Sequence, residues 1–274
     1  MGVEYDGSRF HGWQSQPDGE TVQSQLEKAI SVIAGSSVKV AAAGRTDSGV
    51  HALEQVAHFD TDAARPLQAW VRGVNSHLPS AIAVRWAVEV HSEFHARFSA
   101  ISRSYRYILL NHPVRPAVCH GRVGWFHRPL NTDAMRDAAQ LLVGEHDFTS
   151  FRSSECQASS PIKKLHKAEI FRDGETVVFD FCAGGFLHHM VRNIVGSLLW
   201  IGYGKEQEKW LGDLLIARDR TLAAPTFPPD GLYFVGAEYE KRWALPQMVM
   251  FDRMMPALNL LRQQRCVPES RSVD

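Results

Sequence analysis

Several features are missing from this 274-residue sequence, and each absence excludes a class of protein. No stretch of 18 or more uncharged apolar residues occurs, which argues against a membrane-spanning helix. The first 30 residues lack the charged and then apolar order of a signal peptide. The four cysteines are scattered without a C-x-x-C pair, so the sequence indicates neither a zinc ribbon nor a disulfide framework. These absences predict a cytoplasmic globular protein with no membrane partner.

Charge of one sign is not in excess either. Lys and Arg together number 30, as do Asp and Glu, so the formal net charge is zero and a strongly basic nucleic-acid binder is excluded. Among the cations, however, 22 are Arg and 8 are Lys. Arginine suits planar, bidentate contacts with phosphates and bases. A genomic bias towards high G+C content would give the same composition, so a basic patch on a neutral protein stays open.

The short motifs of common cofactor enzymes and hydrolases are also absent. The sequence has no G-x-S-x-G, no phosphate-binding P-loop and no H-E-x-x-H. Gly184 and Gly185 are too sparse for a dinucleotide fingerprint. His188 and His189 are adjacent, so they face different ways, and no acidic or Cys partner follows four residues on. We therefore expect no metal and no nucleotide or other cofactor.

Short strands and helices alternate along the chain. Thr21 can cap a helix that ends at Gly35, a strand is expected over 37–43, and a helix is expected from Phe186 to Ile201. A hairpin is expected around Asp173 and Gly174. Because hairpins are mixed with helices, the pattern predicts an α+β fold with helices on one face of each sheet.

The order of elements roughly repeats, which predicts two halves. We expect an N-terminal half over residues 1–97 and a C-terminal half over 98–243, with a cleft between them as the site. Residues 244–274 form a tail without assignment, and its end, from Arg262, is expected to be mobile.

The most informative segment is Gly44–His51, with the sequence GRTDSGVH. Two glycines bracket Arg45 and Asp47 directly after an apolar strand, and glycine permits tight turns and close approach of a ligand. Such a turn would aim both charged side chains into a cleft. The alternative is an ordinary turn in which Asp47 bonds its own backbone.

A second segment is Arg103–Tyr107. On a strand, Arg103, Tyr105 and Tyr107 share one face. An aromatic ring beside a guanidinium group is a platform for a stacked nucleobase. Alternatively the tyrosines fill the core of a sheet, and this second interpretation is expected to hold for one of them.

A third candidate is Arg192, which lies off the apolar stripe of its helix. A half-buried Arg needs an anion, either an acidic side chain or a phosphate. Gly184 and Gly185 precede this helix, so its N-terminus is also expected to approach an anion.

At these residues the chain resembles the tRNA pseudouridine synthase A (TruA) family. The matching strings run in family order over about residues 2–240, and they are Glu4–Gly7 with His11–Gln14, Gly44–His51, Phe94–Phe98, Arg103–Tyr107, Asp147–Phe151 and His188–Gly196. The chain departs from the family in three ways. Its first strand is short, its residues from Leu245 do not match, and Ser48 stands where many members have alanine.

The resemblance implies a cofactor-free isomerase that detaches uracil from its ribose, rotates it and rejoins it through carbon 5. The implied substrates are uridines at positions 38, 39 and 40 of the tRNA anticodon stem-loop. Asp47 matches the catalytic aspartate, the proposed nucleophile, and Tyr105 matches the tyrosine that stacks on the target base. Arg192 matches the basic residue that pairs with the aspartate, and Arg45 matches the arginine that holds the target base out of the stem. The implied pseudouridine synthase fold is two similar α+β halves with an active-site cleft between them, assembled as a homodimer.

Two other functions stay open at this point. One is a non-catalytic RNA-binding protein on the same fold, although the intact Asp47, Tyr105 and Arg192 argue against it. The other is a glycosidase-like hydrolase in which Asp47 acts with a second carboxylate.

Overall fold

Ten strands and four α-helices lie within residues 1–246, the part of the chain that the computed structural model describes. The strands are β1 (Gly2–Tyr5), β2 (Ala41–Ala42), β3 (His51–His58), β4 (Ile82–Trp86), β5 (Ala100–Asn111), β6 (Gly124–Phe126), β7 (Gly144–Asp147), β8 (Ile162–Asp173), β9 (Thr176–Ala183) and β10 (Leu232–Tyr239). The helices are α1 (Val22–Ala34), α2 (Thr132–Gln140), α3 (Met190–Gly202) and α4 (Trp210–Ala217). This mixture confirms the predicted α+β class. The tail end that was expected to be mobile lies outside the described residues.

Two units divide the described residues. The first contains Met1–Arg103, Cys119–Arg122 and the residues from Pro229 onward. The second contains Ser104–Val118 and Val123–Pro228.

The first unit has a mixed sheet in the order β4-β1-β3-β10, with β2 added to β3. The strand β1 pairs antiparallel with both β4 and β3, and β10 runs parallel to β3. Val3, in the middle of β1, has no exposed surface. A parallel pairing brings the start of β10 beside the start of β3, where Tyr233 is opposite His51.

The helix α1 forms as its sequence predicts. Thr21 accepts a hydrogen bond from the main-chain N–H of Ser24, which satisfies an end group of the helix. Gly35 ends the helix in the left-handed conformation at φ +76°, which glycine adopts without strain. The apolar face, including Leu26 and Ile30, is fully buried.

The strand predicted over 37–43 is shortened to the two residues of β2. The main chain before β2 bonds with side chains of α1 instead of with a neighbouring strand. Val38 N–H donates to Ser31 Oγ at 3.0 Å, and Val40 N–H donates to Glu27 Oε1 at 3.0 Å. Because side chains of α1 satisfy these main-chain donors, the residues before β2 need no hydrogen bonds with a neighbouring strand.

The second unit has strands in the order β5-β9-β8-β7, with β6 parallel to β5. The strands β8 and β9 form the predicted hairpin, and Gly174 adopts φ +57° at its turn. The helix α2 lies along β8, since Arg136 Nε donates to the carbonyl of Ile170 and Gln140 Nε2 donates to that of Ala168.

The helix α3 begins at Met190, four residues later than predicted. The main chain of His188 forms its hydrogen bonds outside the helix, because its carbonyl accepts from Ser153 N–H and its N–H donates to Cys156 Sγ. His189 then adopts a left-handed conformation at φ 63°, directly before the first helical residue. The N-terminus of α3 therefore does not directly follow Gly184 and Gly185, and the predicted placement of these glycines at the start of the helix is wrong.

Close packing fixes α3 against the segment that leads to Pro228. A Cβ atom on Gly196 would lie 2.5 Å from the carbonyl oxygen of Pro225, so only glycine fits. Ala224 and Leu198 are fully buried in the same region.

No helix among the described residues is long and apolar enough to cross a membrane.

Gly196→Ala is expected to lower the free energy of unfolding by about 1–3 kcal/mol, because the added methyl group overlaps main-chain atoms that cannot rotate away. Gly212→Ala is the matched control, since a Cβ there would lie 3.6 Å from Leu141 Cδ1, an ordinary contact. Because alanine has a higher helix propensity than glycine, Gly212→Ala should leave the free energy of unfolding unchanged or raise it by up to about 1 kcal/mol. Chemical denaturation of both variants checks this, and equal effects would contradict the close-packing explanation.

Candidate active site

The loop between β2 and β3 carries Arg45 and Asp47 on either side of a buried residue. Thr46 is 6% exposed, and its Oγ1 lies 2.7 Å from the phenol oxygen of Tyr5 on β1. Its carbonyl accepts a hydrogen bond from Trp13 N–H at 3.0 Å. Arg45 is exposed and Asp47 is half-buried. Fixing Thr46 inward therefore turns the two charged side chains away from the core.

Two glycines outside the loop allow the neighbouring chain to approach it. A Cβ on Gly12, which has φ +83°, would lie 2.7 Å from the carbonyl oxygen of Thr46. A Cβ on Gly7 would lie 1.9 Å from the carbonyl oxygen of Val50. Both glycines are therefore required by close approach of two main chains.

Buried polar groups hold the base of the loop. Gln55 has no exposed surface, and its Nε2 donates to the carbonyl of Gly44 at 2.6 Å. Burial raises the pKa of Tyr5 well above its ordinary value, although hydrogen bonds with Thr46 and Gln55 oppose this. The phenol therefore stays neutral and serves as a structural hydrogen-bonding group.

His51, at the other end of the loop, is buried in a polar network. Its Nδ1 lies 3.1 Å from Gly7 N and 3.2 Å from Asp6 Oδ1, and its Nε2 lies 3.2 Å from the carbonyl oxygen of Asp230. Its ring stacks on Tyr233 with centroids 4.7 Å apart. Burial lowers the pKa of His51, and the charge of Asp6 opposes this shift. A neutral ring that accepts at Nδ1 and donates at Nε2 satisfies both main-chain partners.

Asp6 connects His51 to a distant part of the sequence. Arg122 Nη2 lies 2.7 Å from Asp6 Oδ2, and Tyr233 donates its phenol proton to the carbonyl of Arg122 at 2.6 Å. Burial would raise the pKa of Asp6, but hydrogen bonds from Ser8 and the charge of Arg122 outweigh it and lower the pKa. This network fixes His51 at the end of the loop. No local sequence signal indicated that residues 119–122 take part.

The three residues of the predicted platform on β5 make different contacts. The guanidinium group of Arg103 donates to the carbonyls of Ala43, Ala100 and Arg97. Tyr107 has no exposed surface, and its phenol donates to the carbonyl of Pro228 at 2.9 Å. Tyr107 is thus the core tyrosine that the alternative interpretation required.

Tyr105 is half-buried in the second unit. Its ring packs edge-on against Phe186, with centroids 5.0 Å apart and planes at 81°. Phe186 belongs to the irregular segment before α3, because the helix begins later than predicted. Tyr105 therefore lies on the sheet beside a second aromatic residue.

Arg192 lies in the first turn of α3 and is half-buried. Its Nε donates to the carbonyl of Phe227 at 2.8 Å, and Phe227 N–H donates to the carbonyl of Arg192 at 3.3 Å. These two hydrogen bonds hold Nε of Arg192 beside the main chain of Phe227. The close approach at Gly196, one turn later, holds the two segments together.

Comparison with known proteins identifies the family to which this chain belongs. The sequence profile of the tRNA pseudouridine synthase family matches residues 1–99 and 138–240. The chain belongs to this family. Arg45, Asp47 and Arg192, to which the resemblance assigns roles, lie within the two matched ranges. Tyr105 lies between the two ranges.

Individual family members are similar over most of their length. The chain is 59% identical to tRNA pseudouridine synthase A of Dechloromonas aromatica over 246 residues, which is 90% of this chain and 94% of that protein. It is 58% identical to the protein of the same name from Aromatoleum aromaticum over 90% of this chain and 93% of the relative. The corresponding values for Thiobacillus denitrificans are 58%, 90% and 95%.

His51→Gln is expected to reduce the pH dependence of stability between pH 7 and pH 5. Because the folded state lowers the pKa of His51 below its ordinary value of 6.5, protons bind more readily to the unfolded chain. The contribution of His51 is therefore complete above about pH 6.5 and is lost as the pH falls towards the folded pKa. Urea denaturation of both proteins at several pH values measures the difference. His58 and His166, whose pKa values are also lowered mainly by burial, titrate in both proteins. Parallel pH curves would contradict the prediction.

Proposed function

We propose that this chain converts uridine to pseudouridine at positions 38, 39 and 40 of the tRNA anticodon stem-loop. As a member of the tRNA pseudouridine synthase family, it is an isomerase that acts on tRNA. The observation that carries the proposal is the loop in which buried Thr46 turns Asp47 and Arg45 outward. A carboxylate presented in this way can reach a substrate held at the surface of the first unit.

The bond changes of this reaction balance within the substrate. The bond between N1 of uracil and C1′ of ribose breaks, and a bond between C5 and C1′ forms after the base rotates. The proton on C5 is lost, and N1 gains a proton. The product is an isomer of the substrate, so no electrons are exchanged and the reaction needs a nucleophile and a route for one proton.

Asp47 is assigned as the nucleophile. A carboxylate that attacks the nucleoside divides one difficult substitution into two easier steps. Such an attack needs a group with a defined position, because misplacement by about 1 Å can reduce a rate by about a hundredfold. The hydrogen bonds of Thr46 with Tyr5 and Trp13 supply that fixed position.

The other three residues are assigned to binding the substrate. Tyr105 stacks on the target base, which compensates in part for the unstacking of about a few kcal/mol that base flipping requires. Arg45, which is exposed, helps hold the flipped base out of the stem. Arg192 provides a cation whose position is set by its hydrogen bond with Phe227.

We also propose that the protein acts in the cytoplasm as a homodimer. Because the formal net charge is zero, binding an RNA polyanion requires the arginines to be gathered on one surface. Two copies could line one groove with their arginines and so collect enough phosphate contacts.

Asp47→Asn is expected to retain tRNA binding and to abolish product formation, because the amide cannot act as the nucleophile. The assay uses a tRNA transcript with tritium at C5 of uridine, and tritium release to water reports the reaction. Asp62→Asn, at an exposed residue of the same unit, is the control and should release tritium like the wild type.

Other outcomes of this assay distinguish the alternatives. Full activity of Asp47→Asn would end the assignment of the nucleophile. Absence of release from the wild type, with binding retained, would favour a non-catalytic RNA-binding protein. Release of free uracil would indicate a hydrolase.

Tyr105→Leu is expected to lower the single-turnover rate about ten- to hundredfold, with a smaller change in tRNA affinity, because stacking is lost after the base leaves the helix. Tyr105→Phe keeps the ring and should retain the affinity of the wild type. Rates under excess enzyme and equilibrium binding measure the two effects. An equal loss of rate and affinity in Tyr105→Leu would indicate a role in binding only.

A further inference from the structure

A tight turn follows Phe94 in the first unit and displays two residues to solvent. Phe94 and Ala96 are buried, whereas Arg97 and Phe98 are exposed. The side chain of His95 organises the turn, since its Nδ1 lies 3.1 Å from Arg97 N and 3.3 Å from Phe98 N. Phe98 therefore lies outside the core, next to the exposed Arg97.

Phe98 is the most exposed aromatic residue in the part of the chain that the structure describes. It is 75% exposed, compared with 37% for Trp125. Its ring lies 4.3 Å from the ring of His95, and the guanidinium carbon of Arg97 lies 5.6 Å from its centroid. An exposed ring of this size adds little to folding, since most of its surface stays in water.

Further hydrogen bonds make this turn rigid. Ser99 N–H donates to the carbonyl of His95 at 2.8 Å, and Ser99 Oγ accepts from His95 N–H at 3.0 Å. Ala96 N–H bonds His58 Nδ1, and the carbonyl of Ala96 accepts from the phenol of Tyr239 at 2.6 Å. The turn is therefore held from below by β3 and β10.

One guanidinium group ties this turn to the loop that carries Asp47. Arg103 donates to the carbonyl of Arg97 in the turn and, through Nε and Nη2 at 3.2 Å each, to the carbonyl of Ala43. Ala43 directly precedes the loop and is four residues before Asp47. Because a single side chain reaches both carbonyls, Phe98 is fixed with respect to the base of the candidate catalytic loop.

We infer that Phe98 is a stacking residue for a nucleobase of the substrate RNA other than the target uracil. The inference rests on the proposed function, in which Tyr105 takes the target base and Asp47 attacks it. A base next to the flipped uridine loses a stacking partner, and an aromatic ring replaces that contact regardless of sequence. Arg97 beside the ring adds a cation that suits the RNA backbone.

The test compares variants that separate the ring from general hydrophobicity. Phe98→Leu keeps an apolar side chain but removes the aromatic face, and Phe98→Tyr keeps that face. Val32→Ala, at a residue that is 55% exposed on α1, is the control for loss of exposed apolar surface. For each protein we would measure tRNA binding at two salt concentrations, tritium release, thermal stability and molecular mass.

Phe98→Leu is expected to weaken tRNA binding about tenfold at both salt concentrations, with thermal stability and mass unchanged. Phe98→Tyr and Val32→Ala should bind like the wild type. The salt dependence should stay constant because a stacking contact neutralises no phosphate.

Four results would overturn the inference. These are wild-type binding by Phe98→Leu, an equal loss in Phe98→Leu and Phe98→Tyr, a changed salt dependence, or a change in mass that places the ring between two copies of the chain. Tritium release by the wild type reports separately on the proposed function, so failure of the stacking role and failure of the isomerase assignment are distinguishable.

Discussion

The inward position of Thr46 is the constraint on which the candidate catalytic loop depends. One threonine hydrogen-bonds to Tyr5 through its hydroxyl and to Trp13 through its carbonyl, so the loop is fixed to two separate parts of the first unit. Neighbouring residues of an extended segment point to opposite sides. Burying Thr46 therefore favours a direction away from the core for Arg45 and Asp47. The two charged side chains therefore owe their direction to a neighbouring residue that is not itself a candidate for the chemistry.

A single strand shows why shared faces do not imply shared roles. Alternation places Arg103, Tyr105 and Tyr107 on one side of β5, as the sequence indicates. Yet the structure uses Arg103 to bind carbonyls, leaves Tyr105 half-buried and buries Tyr107 completely. On the opposite side, Arg106 makes a bidentate, buried pair with Asp180, with distances of 2.6 and 2.9 Å. Periodicity therefore gives the side of a residue, and only the neighbouring segments give its function.

Local signals explain which elements could be predicted. The helix α1 has its cap, its apolar stripe and its terminal glycine within one short window, so its bounds follow from sequence. The helix α3 was misplaced by four residues because the main chain of His188 bonds Ser153 and Cys156, which are remote in sequence. The contact between Arg122 and Asp6 also joins residues that are remote in sequence, so no local signal predicts it. Asp47 could be proposed from sequence because the glycines and charges of its loop are contiguous, whereas the residues that hold this loop are distant in sequence.

The abundance of arginine has a structural explanation besides phosphate binding and genomic composition. Several guanidinium groups donate to main-chain carbonyls, most of which lie outside helices and strands. Arg103 binds three such carbonyls, Arg152 binds those of Cys156 and Ala158, and Arg192 binds that of Phe227. A lysine presents a compact point charge and could not span several acceptors with a planar set of donors. Because irregular segments carry the candidate site, arginine provides both their rigidity and their positive charge, and a count of cations alone cannot separate the two uses.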